Sequence, residues 1–183
     1  MPTAPSGATR NRAAFTLLEL LAVISLSAIL AGLVLGAARR AAETATIART
    51  RAELAALSAA LESYRRAYGD YPQTDDEARL LQSLIGKRGP TNTVITGRPL
   101  LEVARFTTAG SRDPFSDTSA VLIDPWGQVY LYAYKTPPSA WTNPGYVLYS
   151  IGPDGRDSAA LLPGGLSDPA PQANADNLSA NRP

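Results

Sequence analysis

The chain opens its hydrophobic pattern with an unbroken run. Residues 15 to 38 read FTLLELLAVISLSAILAGLVLGAA, 24 positions with Glu19 as the one charge. At ~1.5 Å per residue, such a run spans roughly 36 Å as a helix, enough for the ~30 Å core of a bilayer. The pattern then changes without a break. From Arg39 to Tyr68 there is no Gly or Pro, and Ile47, Leu54, Leu57, Leu61, Tyr64 and Tyr68 recur at helical spacing. This predicts an amphipathic continuation with one apolar face. Arg49, Arg51, Glu53, Glu62, Arg65 and Arg66 fall mostly off that face. Gly69-Asp70-Tyr71-Pro72 stops the helix, since Pro cannot continue it and Gly suits a C-terminal cap. The expectation is one helix over 15–68, membrane-spanning over 15–38 and amphipathic over 39–68.

After Gly69 the periodicity shortens. Asp75-Asp76-Glu77 starts a short helix that ends near Ile85, before Gly86. A Gly/Thr/Pro-rich stretch from Lys87 to Thr118 follows, with weak strand signals at Thr93 to Thr96. Val121 to Ile123, Val129 to Tyr134 and Tyr146 to Ile151 read as strands, the first two separated by the turn Asp124-Pro125-Trp126-Gly127. In the second, Tyr130, Tyr132 and Tyr134 face one way and Val129, Leu131 and Ala133 the other. The predicted fold class is α+β, a long N-terminal helix packed on a small antiparallel sheet within a globular region, 69–183. The Pro/Ala/Asn/Asp-rich tail from Gly164 reads as loop or partial disorder.

Composition narrows the functions. The chain has no His and no Cys, which excludes Ser-His-Asp triads, thiol nucleophiles, disulfides and imidazole- or thiolate-bound metals. With no phosphate-cradling Gly loop and no convergent acid pair, the sequence reads as a non-enzyme. From Gly69 onward 9 Lys/Arg stand against 12 Asp/Glu, net −3, which disfavours nucleic-acid binding. The apolar run is too long for a secretory signal, and the flanking small residues Ala13-Ala14 lie on the wrong side of it. Arg10 and Arg12 before the run balance Arg39 and Arg40 after it, so charge alone assigns no orientation. A carboxylate inside such a run reads either as an interfacial acid or as a charge awaiting a partner, and the uniform surroundings of Glu19 favour the second.

Arg12-Ala13-Ala14 followed by Phe15-Thr16-Leu17-Leu18-Glu19 resembles the leader junction of type IV pilins and type II secretion pseudopilins. The resemblance implies a leader, 1–14, cut between Ala14 and Phe15 by a prepilin peptidase on the cytoplasmic side, with methylation of the new Phe15 amine. It also implies an assembly role for Glu19. Ala14 stands where relatives usually have Gly, and Gly36 where many have Pro. Tyr64 to Gly69 with Tyr71-Pro72, Ser83-Leu84, Asp124 to Gly127, and Tyr149-Ser150-Ile151-Gly152-Pro153-Asp154-Gly155 are similar to blocks of the major pseudopilin branch. The 87–120 segment has no counterpart in that pattern.

A pseudopilin would be an inner-membrane, single-pass protein with a cytoplasmic N-terminus and a periplasmic globular domain. It would assemble into a homo-oligomeric filament that drives protein secretion, with the secretion platform and minor pseudopilins as partners. The alternative is a type IV pilin or minor pilin for adhesion, motility or DNA uptake, although such pilins usually carry a disulfide-bounded loop and this chain has no Cys. The branch also implies one calcium in the final loop. Asp154 matches one ligand, and Asp176-Asn177 resembles the others with Asn in place of an acid. Asp157 and Asp168 lie in the same loop.

Overall fold

The structure is a computed structural model that describes residues 16–135, 145–162 and 168–180. Helix α1 runs Leu17–Tyr68, close to the expected 15–68. The chain divides into two compact units, one through Thr44 and one from Ala45. In the first, every described side chain is exposed, the large apolar ones between 53 % at Leu30 and 81 % at Leu17. Apolar side chains left bare in this way suit lipid or other helices rather than water.

In the second unit the predicted stripe turns inward. Leu54, Leu57, Leu61 and Tyr64 are buried, while Ile47 and Tyr68 are half-buried. Each full Leu burial contributes about 1.5–3 kcal/mol. Against this face pack Leu80, Leu81 and Leu84 of helix α2, Glu77–Leu84. The Asp76 carboxylate accepts the Arg79 amide at 2.9 Å and so caps the start of α2. The helix ends at Gly86, whose φ is +81° and whose missing Cβ would lie 2.6 Å from the Gly97 carbonyl oxygen. Only glycine fits there.

Among the described residues, five short strands complete the unit. β1 (Thr107–Thr108) and β2 (Leu122–Ile123) form one antiparallel pair. β3 (Leu131–Tyr134), β4 (Tyr146–Ser150) and β5 (Leu178–Ser179) form a second antiparallel sheet with β4 in the middle. Its register sets Leu131 opposite Tyr149 and Tyr134 opposite Tyr146 on one side, and Ser150 opposite Leu178 on the other. All five β4 residues are buried.

Four expectations change. The single sheet is two sheets. The weak signal at Thr93 to Thr96 yields only one isolated bridge, Arg88 to Val94. β1 arises in the stretch read as irregular, where a two-residue strand leaves no periodicity to detect. The tail also carries β5: Ser150 pairs with Leu178, and the Ala180 amide donates to the Leu148 carbonyl at 2.9 Å. Tertiary pairing thus orders a segment whose composition alone cannot.

The three alternating tyrosines do face one way. Tyr130 donates to Glu53, Tyr132 to the Pro72 carbonyl and Tyr134 to Asp70. The turn before them is built on Asp124, 2 % exposed. One of its oxygens accepts the Trp126 and Gln128 amides at 3.0 and 2.9 Å, and the other accepts the Ser150 hydroxyl at 2.5 Å. Asp124-Pro125-Trp126-Gly127 is therefore both a turn and a tie to the central strand.

Candidate functional site

Two regions carry the residues singled out by sequence. The first is the start of α1. Ala14 and Phe15, the expected cleavage and methylation positions, lie outside the described residues, as does the rest of the 1–14 leader. Thr16 and Glu19 are described, and they form a reciprocal pair. The Glu19 amide donates to Thr16 Oγ1 at 3.3 Å, while Glu19 Oε2 accepts from the Thr16 amide at 3.4 Å and its hydroxyl at 3.3 Å. This is a capping box: a Thr and the Glu three residues on each satisfy a donor left open at the helix start. The spacing Thr-x-x-Glu is the sequence signal for this cap, set at the edge of an apolar run. Glu19 thus has a local bonding role alongside any role between subunits. No Lys or Arg occurs between residues 15 and 38 to neutralise it.

The second region is the loop between β4 and β5. The Ser150 hydroxyl accepts the Gly152 amide at 3.1 Å and fixes the exit from β4. Gly152 has φ +74°, and a Cβ on it would meet the Asp176 carbonyl oxygen at 2.5 Å and its carboxylate at 2.8 Å. The backbone at Gly152 and the residue before Asn177 therefore touch. Asp176 Oδ2 accepts the Asp154 amide at 3.1 Å, across 22 residues of chain. Asp154 Oδ1 accepts the Arg156 amide at 2.8 Å. Asn177 Nδ2 donates to Asp157 Oδ1 at 3.1 Å, and the Tyr149 hydroxyl donates to Asp157 Oδ2 at 2.8 Å. Burial first, and then that bond to Asp157, push the Tyr149 hydroxyl well above its ordinary value.

The structure thus pairs Asp154 with Asp176 and Asp157 with Asn177 within one loop. Asp168 instead bonds locally, its carboxylate accepting the Ala170 amide and its carbonyl the Asn174 side chain. Asn174 was missed by sequence reading. It is 3 % exposed, and its side-chain oxygen accepts the Ser158 amide at 2.9 Å, stapling the two halves of the loop. No motif marks an Asn of this kind.

The side chains of Asp154 and Asp176 offer carboxylate oxygens, the ligand type a hard cation such as calcium takes, and one oxygen of each accepts a backbone amide in this structure. Among the described residues, no group of three or more acidic side chains converges on one point. A calcium held here would complete its shell with Asn177, carbonyl oxygens and water.

A helix apolar over its first half and amphipathic over its second, followed by a small antiparallel α+β body, defines a pilin-like protein. Residues 9–35 match the prokaryotic N-terminal methylation motif, which includes the Ala14-Phe15 junction and Glu19. Residues 38–161 match type II secretion system protein G, and the chain belongs to that family. It is 27 % identical over 168 residues to the type II secretion system core protein G of Pseudomonas aeruginosa, a match that covers 92 % of this chain and 98 % of that protein. No solved structure matches. The chain is a pseudopilin of type II secretion, and the type IV pilin alternative is not favoured.

Proposed function

We propose that this chain is a structural subunit, not an enzyme. It loses residues 1–14 to a prepilin peptidase, is methylated at Phe15, and polymerises through α1 into a periplasmic filament that drives protein secretion. In this reading the helix holds the subunit in the inner membrane, with its N-terminus cytoplasmic and the globular unit periplasmic, until the secretion platform and minor pseudopilins take it into the filament. The observation that carries the reading is the bare apolar stretch of α1 in a chain of the protein G family. The mature chain would have 169 residues (183 − 14) and 15 basic against 16 acidic groups, since Arg10 and Arg12 leave with the leader.

Intact-mass measurement of the protein from its native membrane tests this. The expected mass is that of residues 15–183 plus one methyl group. A chain still starting at Met1 in a host with the peptidase would overturn the reading.

Calcium belongs to the same proposal. Asp154, Asp176 and Asn177 would hold the ion and close the tail onto the sheet, where β5 already pairs with β4. A bound ion would supply positive charge to offset the acidic loop, and this has no catalytic consequence.

A further inference from the structure

The apolar stretch of α1 ends abruptly. Leu17 to Ala38 carries Glu19 as its one charge, and Arg39-Arg40 follows with no polar spacer. Those 22 residues make roughly 33 Å of helix, against a hydrocarbon core of ~30 Å. When the stretch fills that core, both guanidinium groups stand at the depth of the lipid phosphates, at the end opposite the N-terminus. Their long stems let the charged heads stay in that plane as the helix tilts.

Arg39 and Arg40 are both exposed and form no ion pair among the described residues. The acid within reach along the helix is Glu43, four residues after Arg39 and three after Arg40. A cation placed before its acid is the weaker order on a helix. Arg49 and Glu53 have that order and still close to 2.7 Å, because Glu53 is buried and fixed from the other side by Tyr130. Glu43 is exposed and has no such fixing partner in the ion pairs. The two arginines are therefore available to an outside anion. A planar, weakly hydrated guanidinium matches the two free oxygens of a phosphodiester in a bidentate contact. At this depth the anion in supply is the headgroup of the bilayer itself.

We propose that Arg39 and Arg40 form a binding site for anionic phospholipid headgroups that sets the depth of the mature helix in the membrane. The proposal rests on the membrane-spanning reading above. Once the leader is gone, these are the only Lys or Arg between residues 15 and 48. The headgroup contact is then the main electrostatic anchor of the subunit, and it must be released when the helix leaves the bilayer for the filament.

The test uses the full processed chain in phosphatidylcholine vesicles doped with spin-labelled phosphatidylglycerol or spin-labelled phosphatidylcholine. Electron paramagnetic resonance reads the motionally restricted fraction of each label. The expected result is preferential restriction of phosphatidylglycerol, by about fivefold for each arginine, which corresponds to ~1 kcal/mol. Arg39→Gln with Arg40→Gln should abolish the preference, and Arg66→Gln should leave it intact. Equal preference in the wild type and the double variant would overturn the site while leaving membrane insertion standing. A preference that appears only with Glu43→Gln would assign the arginines to Glu43 and overturn the lipid site. Failure of the wild-type chain to enter phosphatidylcholine vesicles at all would overturn both this proposal and the membrane reading beneath it.

Discussion

The hydroxyl of Tyr130 donates to Glu53 Oε2 at 2.5 Å, joining the residue just before β3 to helix α1 across 77 residues of sequence. Both residues are buried, Glu53 at 7 % and Tyr130 at 2 % exposure. The second Glu53 oxygen accepts the Arg49 guanidinium at 2.7 Å. A buried carboxylate with two strong donors is tolerable, whereas one that has lost a donor is costly. Tyr130→Phe should therefore destabilise the protein by about 1.5–3 kcal/mol, the usual range for a hydrogen bond to a charged group. Denaturant unfolding measures this. A double-mutant cycle with Glu53→Gln should show coupling, because the two side chains act on the same bond. Additive losses would mean that the bond contributes nothing of its own.

The tyrosines also set an alkaline limit. Burial, ahead of other causes, raises Tyr64 from 10.0 to about 12. Burial likewise raises Tyr71, Tyr130, Tyr132 and Tyr149. A folded-state pKa above the unfolded one means the neutral form is favoured by folding. The associated stability is complete below pH 10 and is lost as pH rises toward 12 and beyond. The folded protein should thus show few ionised tyrosines by near-ultraviolet absorbance at pH 10–11. The remainder should titrate together with loss of the circular dichroism signal. Smooth ionisation of all eight tyrosines near pH 10 in a folded protein would contradict the packing.

Much of this was legible in the residues themselves. The stripe Leu54, Leu57, Leu61 and Tyr64 declares its buried face through spacing, and Asp76 before Glu77 declares a helix start. The alternation of Tyr130, Tyr132 and Tyr134 gives the correct facing. Glu53 was read as lying mostly off the apolar face, because its type outweighs its position. It is tolerated in the core through Arg49, four residues before it, and Tyr130, a partner 77 residues away that no local pattern reveals. β5 was hidden for a similar reason. Leu178 and Ser179 have no alternation to detect, and their strand exists because Ser150 lies alongside. At the junction, Glu19 was legible as an anomaly, while the capping role of Thr16 was not read.

Calcium should stabilise the folded chain. Asp154 is held just after β4, and Asp176 just before β5, with the Gly152 backbone packed against it. An ion that binds only the folded form adds RT ln(1 + [Ca]/Kd), about 2.7 kcal/mol at a hundredfold excess over Kd. The detergent-solubilised protein should melt at a higher temperature in calcium than in chelator, and Asp154→Ala should erase the difference. Gly152→Ala should erase it too, since its Cβ would displace Asp176 and its φ of +74° is strained for alanine. Identical melting of the wild type in calcium and chelator would remove calcium from the proposal. Family membership would stand, since it does not depend on the metal.

Glu19 should be dispensable for insertion and essential for assembly. Its contacts to Thr16 are long, at 3.3–3.4 Å, and they satisfy donors at the helix start without neutralising the charge. A carboxylate kept in hydrocarbon costs about 3 kcal/mol on insertion scales, a penalty each isolated subunit retains. The amine freed at Phe15 on a neighbouring subunit is a cation of the right kind to relieve it, and pairing the two would fix the axial stagger between adjacent helices. Capping and charge pairing make different predictions for one substitution. Glu19→Gln keeps an oxygen that can accept from Thr16 but carries no charge, whereas Glu19→Ala loses both. If pairing drives assembly, both variants should be cut and methylated at Phe15 by intact mass, and both should fail to form filaments recoverable by shearing. Normal filaments from Glu19→Gln alone would show that the helix cap is what assembly needs. Normal filaments from both would leave the carboxylate without an assembly role.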